Sequence, residues 1–414
     1  RDWVVRAYQQ DMPYKDFVTW SIAGDLLPNA TRDQKLATAF NRFNRMTNEG
    51  GSDELEFFVD GVSDRVHTMG TAFLGLTMEC SKCHDHKYDP ISQREYYQLY
   101  SFFNNIDEAG LYSYFTSSVP TPTLRLPTHE QEKQLADASA KVAAAELAVQ
   151  QRWKQLEKKD VQRQRLKPVS LKPVTELPGQ IATFDFDSGN YGANKLVDSP
   201  RGKAIRLTGD HAVDVKVGNF TRWQPFTIAT WLKAPQKFER SVVFHRSRAW
   251  TDAASRGYEL LIEDGKLSAA LIHFWPGNAI RVVAKHALPI DEWVHVAMTY
   301  DGSSKAAGLR IWMNGQAIET DVVRDNLQKN ITGGGGDNIN IGERFRDKGF
   351  ANGQVDDFKV FDRELKSLDV HTLFDGKARI DVAIAAADSA SSVDLQLLQH
   401  EMATCDEEYK KRLK

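Results

Sequence analysis

The hydrophobic pattern changes its period once along the chain, and this change constrains the fold more than any other feature of the sequence. From residue 1 to about residue 105, apolar residues such as Phe17, Val18 and Ile22 recur at helical spacing. From about residue 179 to residue 375, short alternating runs such as FTIATWLKA and WVHVAMTYDG are separated by Gly, Asn and Asp turns. The sequence therefore predicts a multidomain protein of α plus all-β class, with a small helical domain and a β-sandwich.

Two long polar segments flank the predicted sandwich. The first carries Leu135, Val142, Val149 and Leu156 at sevenfold spacing, and residues 377–412 have a similar composition. Because a single amphipathic helix must bury its apolar stripe, we expect the two to form an antiparallel pair with the sandwich inserted between them. The alternative is that each helix packs on a neighbour outside this sequence. The predicted boundaries are 1–127 for the helical domain, 128–178 for the long helix and linker, 179–376 for the sandwich and 377–414 for the returning helix.

Charge and hydropathy exclude two classes of partner. The 414 residues include 53 Lys and Arg against 56 Asp and Glu, so no basic excess favours nucleic acid. Apolar runs such as FLGLTM are far shorter than the roughly 20 residues of a membrane-spanning helix. The chain begins at Arg1 in a helical pattern, which is typical of a mature or excised piece.

Local capping and turn signals fix several element boundaries. Thr31 followed by Gln34, and Ser92 followed by Glu95, are capping boxes that predict two helix starts. The dipeptides Asp264-Gly265 and Asn314-Gly315 lie between apolar runs, and they predict two tight β-hairpins.

The segment Cys80-Ser81-Lys82-Cys83-His84 carries the sharpest chemical signal. Two cysteines three residues apart, followed at once by a histidine, suit thioether attachment of haem c with the imidazole as an axial ligand. Two alternatives remain open, namely a zinc site that recruits His84, His86 or His67, and a disulfide or structural cysteine pair. The third cysteine, Cys405, lies far away in sequence.

The second axial ligand of such a haem has several candidates. His67 and Met69 are favoured, because Met78 and His86 lie too close to the attachment motif to reach the opposite face of the iron. A methionine in an apolar helix can equally be core filler. A free sixth position would permit oxygen or peroxide chemistry, whereas a closed one leaves electron transfer alone. Asp85 or Asp89 could orient an imidazole or cap the following helix, and we expect Asp89 to be the cap.

The β region carries candidates for two kinds of site. Asp187 and Asp356 are the calcium candidates, because the first and last strands of a sandwich can pair and bring them together; solvated turn carboxylates are the alternative. A carbohydrate site is predicted from polar and aromatic residues in turn-rich segments: Arg248, Trp250, His273, Trp275 and Asn278. The alternative is that these tryptophans pack against the helical domain. Trp223, Trp231 and Trp293 stand in strand-like runs, and we expect them in the core.

Two parts of the chain resemble known families. The runs AGDLLP (23–28), NEGG (48–51), FLGLTMECSKCHDHKYDPI (73–91) and YYQLYSFFN (96–104) are similar to planctomycete cytochrome-like domains of the DUF1549 type, over about residues 1–165. The runs PFTIA, WVHVA and GQVDDF, between about residues 180 and 375, resemble a laminin-G/concanavalin-A-like jelly roll. The first resemblance implies an exported cell-envelope protein with covalent haem. It also implies a further C-terminal domain of the DUF1553 type, which this sequence does not include.

The sequence thus predicts an exported haem protein, periplasmic or at the cell surface, that couples haem c to a carbohydrate-binding jelly roll. It would transfer electrons to a partner protein or act as a haem-dependent oxidoreductase on glycans, with calcium as an accessory ion. The alternative is a non-enzymatic adhesion or assembly module with a structural metal or disulfide at Cys80 and Cys83. A glycoside hydrolase would need paired acids on facing strands, and the sequence contains no E-x-D-x-x-E run.

Overall fold

The computed structural model describes residues 1–49, 51–116, 118–164, 177–250 and 255–376. The chain divides into two compact units. The first comprises Arg1–Leu126 together with Phe274–Gly277, and the second comprises the remainder. In the described part of the chain, no helix has both the length and the apolar character needed to cross a membrane.

The first unit is helical, as the sequence predicts. Its helices are α1 (Asp2–Gln9), α2 (Tyr14–Ala23), α3 (Arg32–Ala37), α4 (Glu54–Met69) and α5 (Gln93–Phe103). Both predicted capping boxes are present, so Thr31 starts α3 and Ser92 starts α5. Asp53 caps α4 by accepting hydrogen bonds from the next turn. The helix starts are therefore set by local side chains.

An apolar core joins α4 to α5. It consists of Val62, Val66, Met69, Met78, Tyr96 and Phe103. The first three residues lie on one face of α4 because they are spaced by three or four positions. Gly70 follows α4 and is packed against Met78, whose Cγ lies 2.4 Å from where a Cβ of Gly70 would be. A side chain at residue 70 would displace Met78 from this core.

A buried ion pair stabilises the same unit. The Arg65 side chain on α4 is 2% exposed, and its guanidinium lies 2.6 Å from the equally buried carboxylate of Glu108. Arg42 pairs with the same carboxylate. Arg65 also donates to the Asn41 carbonyl at 2.7 Å. The pair therefore connects three chain segments that are distant in sequence.

A long helix and a short one complete the helical elements. Helix α6 (His129–Gln164) has 36 residues, and Leu135 and Val142 of its sevenfold stripe are more than half exposed. The helix predicted for residues 377–414, and therefore the antiparallel pairing, lies outside the described residues. Helix α7 (Ser367–Asp375) belongs to the second unit, where its Val370 and Leu373 pack in a small apolar cluster with Leu365, which precedes the helix.

The second unit is a β-sandwich of two antiparallel sheets. Its strands are β1 (Gln180–Phe184), β2 (Lys195–Ser199), β3 (Gly202–Arg206), β4 (Val213–Asp214), β5 (Phe226–Lys233), β6 (Arg240–Arg246), β7 (Gly257–Glu263), β8 (Lys266–Phe274), β9 (Asn278–Ala284), β10 (Trp293–Tyr300), β11 (Leu309–Met313), β12 (Gln316–Ala317), β13 (Thr320–Asp325), β14 (Asn340–Ile341) and β15 (Gln354–Phe361). Within the described ranges, one sheet has the order β12-β11-β10-β5-β15-β3-β2, with β1 also on β15, and the other β13-β9-β8-β7-β6-β14-β4.

The turn chemistry agrees with the prediction for both hairpins. Asp264 and Gly265 have φ values of 50° and 78°, and Asn314 and Gly315 have values of 49° and 81°. Two successive residues with positive φ form the turn whose twist matches the flanking strands. The first and last strands also pair, with Phe184 opposite Phe358.

The sequence-based placement of three tryptophans in the core is wrong. Ile228, Leu232 and Val296 fill the space between the sheets. Trp231 lies next to Leu232 on β5 and therefore faces the other way, where it stacks on Phe374 of α7 with ring centroids 5.6 Å apart. Trp293 is likewise half-buried outside the main core. Trp223 lies in a turn before β5 begins, and it is 58% exposed.

Candidate functional site

The Cys80–His84 segment forms a single tight helical turn. Residues Glu79–Lys82 are 3-10 helical, and the Cys83 amide donates to the Cys80 carbonyl at 3.3 Å. Side chains three residues apart eclipse in this conformation, so the two thiols share a face. Both cysteines are exposed and unbridged, whereas Ser81 between them is fully buried. The turn therefore presents two free thiols to one side.

Helix α5 holds this turn in place through hydrogen bonds. The Lys82 carbonyl accepts hydrogen bonds from the Gln93 amide group at 3.2 Å and from the Tyr97 hydroxyl at 3.1 Å. The carboxylate of Asp85 accepts the backbone N–H of Gln93 at 2.8 Å. Asp85 therefore contributes to the start of α5, in place of the expected Asp89. These three hydrogen bonds fix the turn on the N-terminal half of the helix.

His84 is exposed and its ring is oriented by the backbone. Its Nδ1 lies 2.7 Å from the carbonyl oxygen of Asp85. In the neutral tautomer that donates from Nδ1 to this carbonyl, the lone pair of Nε2 is available to a metal. Because Asp85 is itself held by α5, the orientation of the imidazole depends on the start of that helix.

His86 has a structural role. Its Nδ1 accepts backbone N–H groups from Asp89 at 2.8 Å and Tyr88 at 3.3 Å. Its Nε2 lies 3.4 Å from the hydroxyl of Thr77, and the side chain is 6% exposed. Both ring nitrogens thus contribute to the conformation of the loop after His84. The histidine most readily recruited to a zinc site beside the cysteines is already bonded within the protein.

The two predicted distal ligands lie near the end of α4. Met69 is 8% exposed and belongs to the apolar core. It also lines a cavity of about 940 Å³ in the helical unit, together with Met46 and Leu99. His67 is half-buried, and its Nδ1 has no hydrogen-bond partner among the described residues. Cys80, Cys83 and His84 do not line this cavity. A second axial role for Met69 or His67 stays a prediction.

The calcium candidates contact one β-hairpin. Oδ1 of Asp187 accepts the Lys203 N–H at 2.8 Å, and Oδ2 of Asp356 accepts the Ser199 hydroxyl at 2.6 Å. Burial raises the pKa of Asp356 above its ordinary value. Both carboxylates thus bond to the β2–β3 hairpin. Among the described residues, no group of three or more His, Cys, Asp and Glu side chains could hold a metal ion.

Trp250 and Arg248 are neighbours on a loop after β6. Trp250 is half-buried, with the guanidinium carbon of Arg240 lying 4.2 Å from its ring centroid. Arg248 is exposed, and its Cδ is 3.2 Å from the position that a Cβ of Gly335 would occupy. One face of the indole is therefore covered by a cation.

Two other carbohydrate candidates hold a loop in place. The ring of His273 lies 2.6 Å from the Asn330 carbonyl, and burial lowers the pKa of His273 to about 4. Oδ1 of the buried Asn278 accepts the backbone N–H groups of Gln328 at 3.0 Å and Lys329 at 3.2 Å. These atoms are engaged by the protein. Trp275 is half-buried within the short segment that groups with the helical unit.

A charged network that sequence reasoning missed crosses the seven-stranded sheet. Glu259 and Glu263 lie on one face of β7, since they are four positions apart on a strand. Glu259 pairs with the buried Arg344, and Glu263 pairs with Arg240 at 2.6 Å. Arg344 also pairs with Asp347.

The arginines of this network favour the ionised form of its carboxyl groups, which indicates a structural role. Burial raises the pKa of Asp347, but Arg344 and Arg240 oppose it more strongly, so that the pKa lies below its ordinary value. Glycoside hydrolysis needs one carboxyl group that keeps its proton, and charge-compensating arginines favour the ionised form. The network therefore has a structural role in the seven-stranded sheet.

Comparison with known proteins confirms both resemblances. Residues 1–108 match the family PSCyt2, described as a protein of unknown function (DUF1549). Residues 207–371 match the family Laminin_G_3, described as the concanavalin A-like lectin/glucanases superfamily. The chain thus carries a domain of each kind. No curated protein matches the sequence.

Solved structures that resemble the chain are β-sandwich binding domains of low identity. The binding domain of Paraclostridial Mosquitocidal Protein 1 has 15% identity and a TM-score of 0.38, over 48% of this chain and 52% of that one. Domain 4 of AbnA, a GH43 extracellular arabinanase from Geobacillus stearothermophilus in complex with arabinotriose, has 16% identity and a TM-score of 0.32, over 47% of this chain and 97% of that one. The botulinum neurotoxin serotype G binding domain has 14% identity and a TM-score of 0.36, over 47% and 50%. The chain spans about half the length of the first and third of these.

Proposed function

We propose that the helical unit binds haem c covalently through Cys80 and Cys83, with His84 as an axial ligand, and that the jelly roll binds carbohydrate. The observation that carries the haem proposal is the geometry of the turn. Two free, exposed thiols share one face, and the adjacent imidazole has its Nδ1 engaged by a carbonyl oxygen. Thioether attachment and iron ligation need these groups in this relation.

The contacts that hold the Cys80–His84 turn also suit covalent haem. The turn is held by hydrogen bonds from Gln93 and Tyr97 on α5, and none of these contacts uses a thiol or the imidazole Nε2. Attachment would therefore require no rearrangement of the backbone that carries the ligands. Haem, when bound, supplies one-electron redox chemistry, and the protein would supply the attachment, the axial ligand and its orientation.

The location and redox role of the protein follow from the same proposal. We place it in the periplasm or at the cell surface, as its resemblance to planctomycete cytochrome-like domains supports. Its haem would exchange electrons with a partner protein or act on glycans held by the jelly roll. The same resemblance supports a DUF1553-type domain as a further partner.

The carbohydrate proposal rests on the jelly-roll domain. Its superfamily is described by its lectins and glucanases. Trp250 and the exposed Arg248 offer a ring face and a hydrogen-bond donor near one another on the same loop. Calcium stays an accessory in this proposal, because Asp187 and Asp356 already accept hydrogen bonds from the protein.

The haem proposal is tested by producing the chain in a host with a c-type cytochrome maturation system. We expect a Soret band that stays with the protein after acid-acetone extraction, together with a haem-sized increase in intact mass. The double variant C80A/C83A should lose both signals, whereas the control C405A should keep them. An intact mass without porphyrin in the wild-type protein contradicts the proposal and favours the adhesion module with a disulfide or structural metal.

A further inference from the structure

Trp223 is the most exposed tryptophan whose burial the structure describes. Its side chain is 58% exposed, whereas Trp231, Trp250, Trp275 and Trp293 are half-buried and Trp312 is 4% exposed. Exposing an indole ring to water is unfavourable, because the ring carries a large apolar area. An indole that a hydrogen-bonded turn holds in the solvent is therefore a candidate surface for a ligand.

The turn that carries Trp223 is rigid. Oε1 of Gln224 accepts the Thr221 N–H at 2.7 Å and the Thr221 hydroxyl at 2.9 Å. The backbone N–H of Gln224 in turn donates to the Thr221 carbonyl at 3.2 Å. Trp223 is enclosed between these two residues, so its backbone has little freedom. The exposure of the ring is thus a fixed feature of the loop.

Arg222 fixes the ring from one side. Its guanidinium carbon lies 5.5 Å from the Trp223 ring centroid, and Nη1 donates to the Ser304 hydroxyl at 2.7 Å. The backbone N–H of Arg222 also donates to Oδ1 of Asn330 at 3.1 Å. Arg222 is therefore held by one loop through its guanidinium and by another through its backbone, which limits the movement of the indole beside it.

The loop after β10 approaches Trp223 closely. A Cβ at Gly302 would lie 2.6 Å from the carbonyl oxygen of Trp223, and Gly302 has a φ of 85°. Only glycine suits this position, because it permits both the contact and the left-handed backbone. The exposed Asp301 and Ser303 flank it. The turn that carries Trp223 thus lies against a loop with two exposed polar side chains, in which Oδ1 of Asp301 accepts the Ser303 N–H at 2.8 Å and the Ser303 hydroxyl accepts the Lys305 N–H at 3.2 Å.

We propose that Trp223 is a stacking platform for a sugar ring of a polysaccharide, with Asp301 and Ser303 as hydrogen-bond partners for its hydroxyl groups. This site rests on the proposed carbohydrate binding and lies on a different loop from Trp250. A sugar ring presents an apolar face and polar edges, which is the pattern that a single indole among polar side chains complements. A protein interface would need a contiguous apolar patch at its centre.

Two variants and a matched control test the platform in the full chain. W223A removes the ring, and W223F keeps a smaller aromatic face on the same backbone. I290A is the control, since Ile290 is 52% exposed. Ile290 precedes Trp293, which pairs with Lys233 at the end of β5 distant from Trp223.

Binding is measured by affinity electrophoresis in gels that contain soluble arabinan, xylan, mannan or β-glucan, and by the change in tryptophan fluorescence on titration. For a polysaccharide that retards the wild-type protein, we expect W223A to bind about 10-fold more weakly or worse, W223F to lose less, and I290A to bind normally. The fluorescence change should also shrink in W223A and W223F, since both lack the indole.

The outcomes separate this site from the broader proposal. If the wild-type protein binds none of these polysaccharides, the proposed carbohydrate binding fails and the platform fails with it. If the wild-type protein binds and W223A binds equally well, only the platform is overturned, and a loss in W250A would then place the ligand at the other loop. If W223A misfolds by circular dichroism, W223F decides: unchanged affinity and an unchanged fluorescence response would refute the platform.

Discussion

Replacing Glu108 with glutamine should destabilise the helical unit far more than breaking an ion pair on its surface. The substitution removes the negative charge that Arg65 and Arg42 share, and the Arg65 and Glu108 side chains are each only 2% exposed. A buried charge that loses its partner costs about 3–5 kcal/mol of unfolding free energy, because the protein interior cannot solvate it as water does. The hydrogen bonds from Arg65 to Asn41 and Asn44 would remain, which favours the lower end of this range.

The matched control is Asp60→Asn on α4, the helix that carries Arg65. Asp60 lies 3.4 Å from Arg45 and 3.7 Å from Lys82, but its side chain is 44% exposed. An exposed pair contributes less than about 1 kcal/mol, since water and salt screen it. The two variants therefore remove one carboxylate each and differ in its burial.

Hydrogen exchange followed by mass spectrometry on the full chain measures the effect locally. Peptides from α4 report on the unit that contains the pair, and peptides from β5 report on the sandwich. E108Q should accelerate exchange in α4 by about 100-fold or more, at the conversion of about 1.4 kcal/mol per factor of ten, with little change in β5. Equal acceleration by E108Q and D60N would refute the reasoning, because burial would then not determine the cost of the lost charge.

Three further predictions concern pH, a helix cap and backbone strain. Burial lowers the pKa of His245 and of His295 from 6.5 to about 3, so the native state resists a proton that the unfolded chain accepts. The stability that they contribute is complete above pH 6.5 and is lost as the pH falls toward 3, and this loss reaches about 2 kcal/mol for each histidine at pH 5. Urea unfolding at pH 7.5 and pH 5 should show this loss, and H245Q should reduce it; an unchanged pH dependence in H245Q contradicts the assignment. S92A should cost about 1 kcal/mol by removing the cap of α5, measured as faster exchange in α5 peptides, and exchange at the wild-type rate would mean that Asp85 alone suffices. G257A should destabilise the sandwich several times more than G333A. Both glycines have positive φ, but a Cβ at Gly257 would lie 1.6 Å from the Arg246 carbonyl oxygen, whereas a Cβ at Gly333 would meet nothing within 4 Å. Equal thermal midpoints of the two variants would contradict this account.

The features that the sequence predicts correctly are those decided by neighbouring residues. The caps at Thr31 and Ser92 each join a side chain to a backbone group three positions away, and the turns at Asp264 and Asn314 each consist of two successive residues with positive φ. Such contacts form in the same way whatever the rest of the chain does. The change from helical to alternating period was equally reliable, since it extends over many residues.

The features that the sequence misses depend on distant partners. Arg344 lies 85 residues from Glu259, and no local pattern pairs them. The face on which a strand residue lies is also a tertiary property, since shifting the pattern by one position exchanges the two faces. For that reason the sequence pattern predicts Trp231 in the core, although Trp231 packs beneath α7. The prediction for Trp223 is wrong because β5 begins three residues later, at Phe226.

The same contrast bears on the Cys80–His84 turn. The spacing of its cysteines and histidine states which atoms are present, but an identical spacing in a disordered loop would leave the imidazole free to take any orientation. Here the carbonyl of Lys82 and the carboxylate of Asp85 are both bound by the first turns of α5. The start of α5 is in turn set by Ser92 and Glu95. A local capping signal, readable in the sequence, thus determines the orientation of His84 through two intermediate contacts. Because this chain of contacts involves neither thiol, the orientation of His84 does not depend on an attached group, and in the proposed haem site such preorganisation would lower the entropic cost of binding.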